Sequence, residues 1–442
     1  MNILRLSTLS LAVAIAVLAL AYANPSFAGK DKNCVPPEPI HPSCKDDGGG
    51  GDPPDPGPPP GCPGDFPAFA YTVEITDNRG RTERRDLYLS NSVGKCQMLI
   101  DSIPHSRKFR ASYDDLDFHY DDDSGVYRIA YNYDDDEANI REPIARPNIR
   151  IMQFKTITND AGETTIDDDY WPLEVHKLYR YSGDGSASGG IYGNDMLGNS
   201  LVFSVKYGYT LPDKPHPYTD WYYEIRVIEN ISDCIKNWGP EPDEQCAERV
   251  FATDVPDSRA IFPRWGLTTN RIYFDHCWWC DGVPSPALGI LDRNEPGSPW
   301  SAPGAVSIED VDGLGFGGGS PALYEYGGSI EVLNQLDVDG KLHFLEIGIQ
   351  CTAASAIDNS CVWHKSAVPV MWFPSQRQAG KWTTHRAIDP QRPNPNLMYF
   401  DSGTNSIFEF DPDSAPDPDP EMGNPRVIIE GISDNVCFDP VD

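Results

Sequence analysis

Apolar residues in this chain come in short bursts, separated by clusters of Gly, Pro, Asn and Asp. From residue 65 onward the bursts are rich in Val, Ile, Tyr and Phe, and none keeps the 3.6-residue period of an amphipathic helix. The pattern predicts strands and turns throughout, with less than one-tenth helix.

One burst recurs six times, as a polar turn followed by a short strand that closes on an aromatic. It reads Ala68-Phe69-Ala70-Tyr71, Arg128-Ile129-Ala130-Tyr131, Ser200-Leu201-Val202-Phe203, Arg271-Ile272-Tyr273-Phe274, Lys341-Leu342-His343-Phe344 and Leu397-Met398-Tyr399-Phe400. The closing aromatics are separated by 60, 72, 71, 70 and 56 residues. A second strand follows in most units, as in Asp86–Asn91, Ile149–Met152, Glu224–Glu229, Leu288–Asp292 and Ser406–Asp411. Six units of one design predict a repeat architecture. A propeller blade needs only ~40–45 residues, so each unit carries about twenty more in loops.

The N-terminal end has a different character. Arg5, an apolar run from Leu9 to Tyr22, and Ser26-Phe27-Ala28 read as a signal peptide over 1–28, which implies export to the periplasm or beyond. The run is shorter than the ~20 residues that span a bilayer, and no later stretch reaches that length, so membrane insertion is not expected. Residues 29–64 hold eleven prolines and eight glycines, a composition that reads as an extended spacer. The repeating body is expected over 65–442.

Charge and cysteines narrow the partners. The net charge of -32 repels nucleic acid and anionic surfaces, leaving a protein or a polysaccharide as the expected partner. All eleven cysteines lie after residue 28, as in a chain matured under oxidising conditions. Short separations pair Cys234 with Cys246, Cys351 with Cys361, and Cys277 with Cys280, the last as a hairpin disulfide rather than a redox centre.

Ile261-Phe262-Pro263-Arg264-Trp265, running through Asn270-Arg271-Ile272-Tyr273-Phe274, resembles the TolB-like propeller repeat. Asp337-Val338-Asp339-Gly340-Lys341 resembles the Asp-Gly-Lys turn of the same repeat. The resemblance covers roughly 65–442 and implies an all-β, six-bladed β-propeller with long inter-strand loops. The α/β domain that precedes the propeller in TolB is replaced here by the spacer, so TolB's own role does not carry over. A propeller of this kind commonly completes one blade with strands from both termini. Cys62 stands just ahead of the first repeat strand and Cys437 in the last extended stretch, so a Cys62–Cys437 clasp is expected, with Cys96–Cys437 as the competing pair.

Candidate chemistry is sparse. No Gly-x-Ser-x-Gly elbow occurs, which excludes a serine-peptidase reading. The nine histidines show no metal-ligand spacing. Asp337, Asp339 and Glu346 fall at positions three, five and twelve of an EF-type loop and are the candidate calcium ligands. Counting six residues back from the first position of each repeat strand gives Asp122, Asn194, Trp265, Gln335 and Gln391. Four of the five are amides or acids, suited to hydrogen bonds with a polar ligand in the central funnel. A non-enzymatic binding propeller is the expected function. A carbohydrate-active enzyme, or a calcium- or quinone-assisted one, with its centre in the channel is the alternative.

Overall fold

The computed structural model describes residues 60–104, 114–134, 147–180, 190–211, 218–237, 246–253, 258–266, 268–277, 286–307, 322–326, 330–338, 341–348, 363–365, 371–372, 382–384, 397–401, 406–410, 426–430 and 438–440. The chain divides into two compact units, Met1–Pro56 and Gly57–Asp442, and the described residues all belong to the second. It is nearly all β. Among the described residues the helical elements are one α-helix, Ile231–Asn237, and one 3-10 turn, Asp168–Tyr170. No helix of the described residues is long and apolar enough to cross a membrane.

Among the described residues, six antiparallel sheets of four or five strands follow one another along the chain, beside a seventh of three strands. Sheet I is ordered Phe438–Pro440, Phe69–Thr76, Thr82–Ser90, Gln97–Pro104, so its first strand comes from the far end of the chain. Sheet II runs Asp114–Asp121, Val126–Asp134, Pro147–Phe154, Val175–Arg180. Sheet III runs Gly190–Leu197, Ser200–Leu211, Tyr218–Ile228, Glu248–Ala252. Sheet IV runs Arg259–Trp265, Arg271–Cys277, Pro286–Asp292, Gly304–Ser307. Sheet V runs Ala322–Tyr326, Ile330–Val338, Lys341–Gly348, Trp363–Lys365, with Met371–Trp372 also on its third strand. Sheet VI runs Trp382–Thr384, Leu397–Asp401, Ser406–Phe410, Arg426–Glu430. The first strand of each sheet touches the first strand of the next, from I through VI and back to I.

Burial explains why the repeat strands read as nearly unbroken apolar runs. In sheet II, Ile129 and Tyr131 pack with Ala70, Leu87 and Leu89 of sheet I, whereas Ala130 between them packs with Leu201 and Phe203 of sheet III. Val202 in turn packs with Ile261, Ile272 and Phe274 of sheet IV. Successive side chains alternate between faces, and each face is covered by a neighbouring sheet, so both alternating sets are apolar. Sheets VI and I meet through Phe69, Tyr71, Ile407, Ile428 and Ile429.

Five of the six repeat strands occupy the second place of their sheet. The fifth does not: Lys341–Phe344 lies on the third strand of sheet V. The second strand there begins at Ile330, opposite Tyr326, and its position equivalent to the closing aromatic is Glu331.

The expected Cys62–Cys437 clasp, and the competing Cys96–Cys437 pair, are replaced by a Cys62–Cys96 disulfide with Cα atoms 5.6 Å apart. Cys62–Pro63 pairs with Glu163–Ile166, and that strand with Thr156–Thr158, in a small accessory sheet. The chain then turns through Asp65 and Phe66 before entering sheet I at Phe69, which carries Cys62 away from the closing strand and beside the loop holding Cys96. Cys62–Pro63, within the Pro/Gly-rich span 29–64, is thus a strand. Closure rests on main-chain pairing, Phe69↔Pro440, Ala70↔Asp439 and Tyr71↔Phe438. Cys234 and Cys246 are bonded, with Cα atoms 6.1 Å apart. Cys351, Cys361, Cys280 and Cys437 lie outside the described residues, as does the side chain of Cys277.

Candidate functional site: a ring of bulges on the first strands

The first strands of sheets II to V share an irregularity. Pairing with the second strand advances three residues on one side for two on the other. The steps run from Asp114↔Asn132 to Asp117↔Ala130, from Tyr192↔Ser204 to Asp195↔Val202, and from Ile261↔Asp275 to Arg264↔Tyr273. Sheet V repeats the step between Leu323↔Val332 and Tyr326↔Ile330. Each is a β-bulge, a device that bends its strand and re-aims the side chains after it. In sheets II, III and IV the first bulged residue has a left-handed backbone: Asp115 at φ 49°, Gly193 at φ 63° and Phe262 at φ 51°. Two residues later come Asp117, Asp195 and Arg264, at equivalent positions on three consecutive sheets.

These residues tie the first strands together. The Asp115 carboxylate accepts from Gly193 N at 3.0 Å and from Asn132 Nδ2 at 2.8 Å. Asn194 Nδ2 donates to Asp115 O at 3.0 Å and to Asn132 Oδ1 at 2.9 Å. Asp117 accepts from Met196 N at 2.6 Å, and Asp195 accepts from Trp265 N at 2.6 Å, the same contact made twice, one sheet on. His119 Nε2 accepts from Gly198 N at 2.8 Å, which leaves the ring proton on Nδ1 in the neutral form. Where sheet IV has Arg264 in place of the acid, its Nη1 donates to Asp195 Oδ1 at 3.0 Å and lies 3.8 Å from Asp117 Oδ1. Three sheets thus contribute to one cluster.

Burial sorts the cluster. Asp117 and Asp195 are 1% and 2% exposed, whereas Arg264 keeps an open edge. The carboxylates are already engaged by N–H donors, so they orient the guanidinium, and the Arg264 side chain stays 20% exposed. On the same two first strands, Tyr192 and Phe262 are half-buried, pack at the edge of the core between sheets III and IV and meet edge to face, with ring centroids 6.2 Å apart. Burial, and secondarily the Asp115 carboxylate, hold the Tyr192 hydroxyl above its ordinary pKa, so it stays a neutral donor. The arrangement can donate and accept hydrogen bonds next to an aromatic surface.

Gly193 packs directly on the next bulge. A Cβ there would lie 2.6 Å from Phe262 Cα, on a backbone already at φ 63°. Gly193→Ala is expected to cost about 1–3 kcal/mol in urea unfolding. Gly198→Ala, at φ 57° with nothing within 4 Å, is expected to cost about 1 kcal/mol or less. Equal losses would mean that the bulges do not pack against one another.

The residues picked from sequence are scattered by comparison. Asn194 lies in the bulge of sheet III, and Trp265 follows Arg264 but is fully buried. Asp122 is exposed in the turn after the first strand of sheet II. Gln335 falls on the second strand of sheet V, and Gln391 lies outside the described residues. The count of six fails because the connecting turns differ in length, spanning 122–125, 198–199 and 266–270. Asp117, Asp195 and Arg264 were missed for that reason. The signal that could have found them is Gly193-Asn194-Asp195, a turn-like triplet inside a strand.

The EF-type loop is replaced by a hairpin. Asp337 pairs with Leu342 and Glu346 with Leu333, four ladder steps apart along that hairpin. Asp339 lies outside the described residues. Among the described residues no group of three or more His, Cys, Asp or Glu is placed to hold a metal.

No family model matches the chain, and no curated protein matches it. Solved structures similar to it include an α-L-arabinofuranosidase from Lactobacillus brevis (11% identity, 72% of this chain and 90% of that one, TM-score 0.39). An α-L-arabinanase from Penicillium chrysogenum complexed with arabinobiose is similar at 10% identity, over 76% and 91% of the two chains, with TM-score 0.42. The β-propeller domain of the Trilobed protease from Pyrococcus furiosus is similar at 10% identity, over 82% and 95%, with TM-score 0.34. With TM-scores below 0.5, these likenesses assign neither fold detail nor activity.

Proposed function

We propose that the six sheets are the blades of one six-bladed β-propeller, exported from the cell, which binds a neutral carbohydrate at the bulge ring. The closed circuit of contacts among the six first strands supports the blade count. The pairing of Phe438–Pro440 with Phe69–Thr76 supports ring closure through both termini. The signal-like N-terminal segment and the two disulfides support export.

The observation that carries the ligand reading is Arg264, held by Asp195 and facing Asp117 from two sheets away. Side chains of sheets II, III and IV meet in this way near the axis of a ring. Asp115, Asp117 and Asp195 outnumber Arg264 locally, and the chain as a whole is acidic, so an anionic ligand is repelled. A neutral polyol, whose hydroxyls both donate and accept, suits the cluster. A second reading, glycoside hydrolysis, draws on the nearness of two carboxylates to one guanidinium nitrogen. Their engagement by Met196 N and Trp265 N argues for orientation rather than proton transfer.

Affinity electrophoresis in gels holding neutral arabinan, xylan or galactan, against acidic polygalacturonate, tests this. Retardation is expected in at least one neutral gel and not in the acidic one, with at least tenfold weaker binding for Arg264→Ala. Release of reducing ends from the retarding polysaccharide would replace binding by hydrolysis. Absence of retardation in every neutral gel would remove the carbohydrate reading.

A further inference from the structure

We infer that Phe262, with Tyr192 beside it, is the stacking platform on which a sugar ring lies, an inference that rests on the carbohydrate reading above. The position invites a different residue. Its equivalents on the two preceding sheets are Asp115 and Gly193, both suited to a left-handed backbone, whereas a bulky Phe at φ 51° is an outlier. Phe262 is only half-buried: it packs at the edge of the core that Ala260, Ile261 and Trp265 of the same strand fill between sheets III and IV, and keeps part of its ring open. A strained backbone that persists while its side chain stays part-exposed points to a use for that side chain.

The surroundings indicate which use. Tyr192 immediately precedes the bulge of sheet III, and Phe262 opens the bulge of sheet IV, so the pair straddles the junction between them. Their rings stand at 81° to each other, presenting one face and one edge. Arg264 follows Phe262 by two residues, and its guanidinium is fixed by Asp195. A pyranose or furanose has an apolar face of C–H groups and a rim of hydroxyls. The aromatic surface takes the C–H face, through the ring's negative π cloud, and Arg264 takes the rim. Removing the Phe262 ring therefore weakens binding without removing a polar contact.

Phe262→Gly separates this role from a structural one, because glycine relieves the left-handed backbone. The expected result is a melting temperature equal to or above that of the parent, with neutral-polysaccharide binding at least tenfold weaker. Phe262→Tyr is expected to bind within about threefold of the parent, and Tyr192→Leu to lose binding with little change in melting temperature. Should Phe262→Gly fail to fold, Phe262→Asn, which also tolerates this backbone, takes its place. Parent-like binding by Phe262→Gly while Arg264→Ala loses it would overturn the platform and leave the carbohydrate reading standing. A fall in melting temperature that tracks the loss of binding would assign Phe262 to packing instead. A parent protein that binds no neutral polysaccharide overturns both.

Discussion

Arg128→Ala is expected to lower unfolding stability by about 3–5 kcal/mol, the cost of leaving a buried charge without its partner. The Arg128 side chain is 1% exposed and that of Asp121 6%. The guanidinium donates to Asp121 Oδ2 at 2.8 Å, to Gly198 O at 3.1 Å and to Ser232 Oγ at 3.2 Å, so it bridges sheets II and III. Burial alone would raise the Asp121 pKa. The Ser124 hydroxyl, Arg128 and the Asp123 N–H outweigh it and hold the group below the ordinary aspartate value. Without Arg128 much of that compensation goes, and the Gly198 carbonyl loses a donor. A double substitution, Arg128→Met with Asp121→Leu, removes both charges and is expected to recover most of the loss. Chemical denaturation of the two variants checks this. A loss below about 1 kcal/mol for Arg128→Ala would mean that water reaches the pair.

Asp275→Asn is expected to stabilise the protein by about 3 kcal/mol at pH 7.5 and to have little effect at pH 3.5. Burial raises the Asp275 carboxyl to about 6, only partly offset by Arg259. The folded state therefore keeps a proton that the unfolded chain releases near pH 4. Stability from this group is complete below that pH and is lost as pH rises from about 4 to about 6. His276 works in the opposite sense. Burial lowers it to about 4, although the contact of Nδ1 with the Arg259 carbonyl at 3.0 Å favours the protonated ring. Its contribution is complete above about 6.5 and is lost as pH falls towards 4. The two adjacent residues nearly cancel across this window. Once Asp275 is neutralised, stability should climb steadily from pH 4 to 6.5 under the histidine alone. Urea midpoints at pH 4.5, 6 and 7.5 read this slope. An identical offset from the parent at all three would show that Asp275 titrates as an ordinary surface acid.

The sequence pattern carried the sheets well and the site poorly, for separate reasons. Repeat strands such as Arg128–Tyr131 and Ser200–Phe203 are covered on both faces, and continuous burial leaves a compositional mark. In sheet V the second strand carries Glu331 where sheets II to IV have the closing aromatic, so the aromatic-ended pattern falls on Lys341–Phe344 one strand later. Cys62 was misassigned because nearness to the first strand in sequence says nothing of the turn through Asp65 and Phe66. Bulges leave almost no trace. They depend on one extra residue against a partner strand, and turns of unequal length hide the register needed to see it. Asp117, Asp195 and Arg264 share a place in space without sharing a spacing in the chain.

The Cys62–Cys96 bond also decides where mechanical load would travel. A pull on the Pro/Gly-rich spacer reaches Cys62 before it reaches Phe69. There the sulfur bridge hands it to the loop between the third and fourth strands of sheet I, next to Gly94, whose Cα backs onto the Ile428 carbonyl of sheet VI. The three residue pairs that join Phe69–Thr76 to Phe438–Pro440 lie off that path. Load that enters at Cys62 can thus be borne without peeling Phe438–Pro440 from Phe69–Thr76.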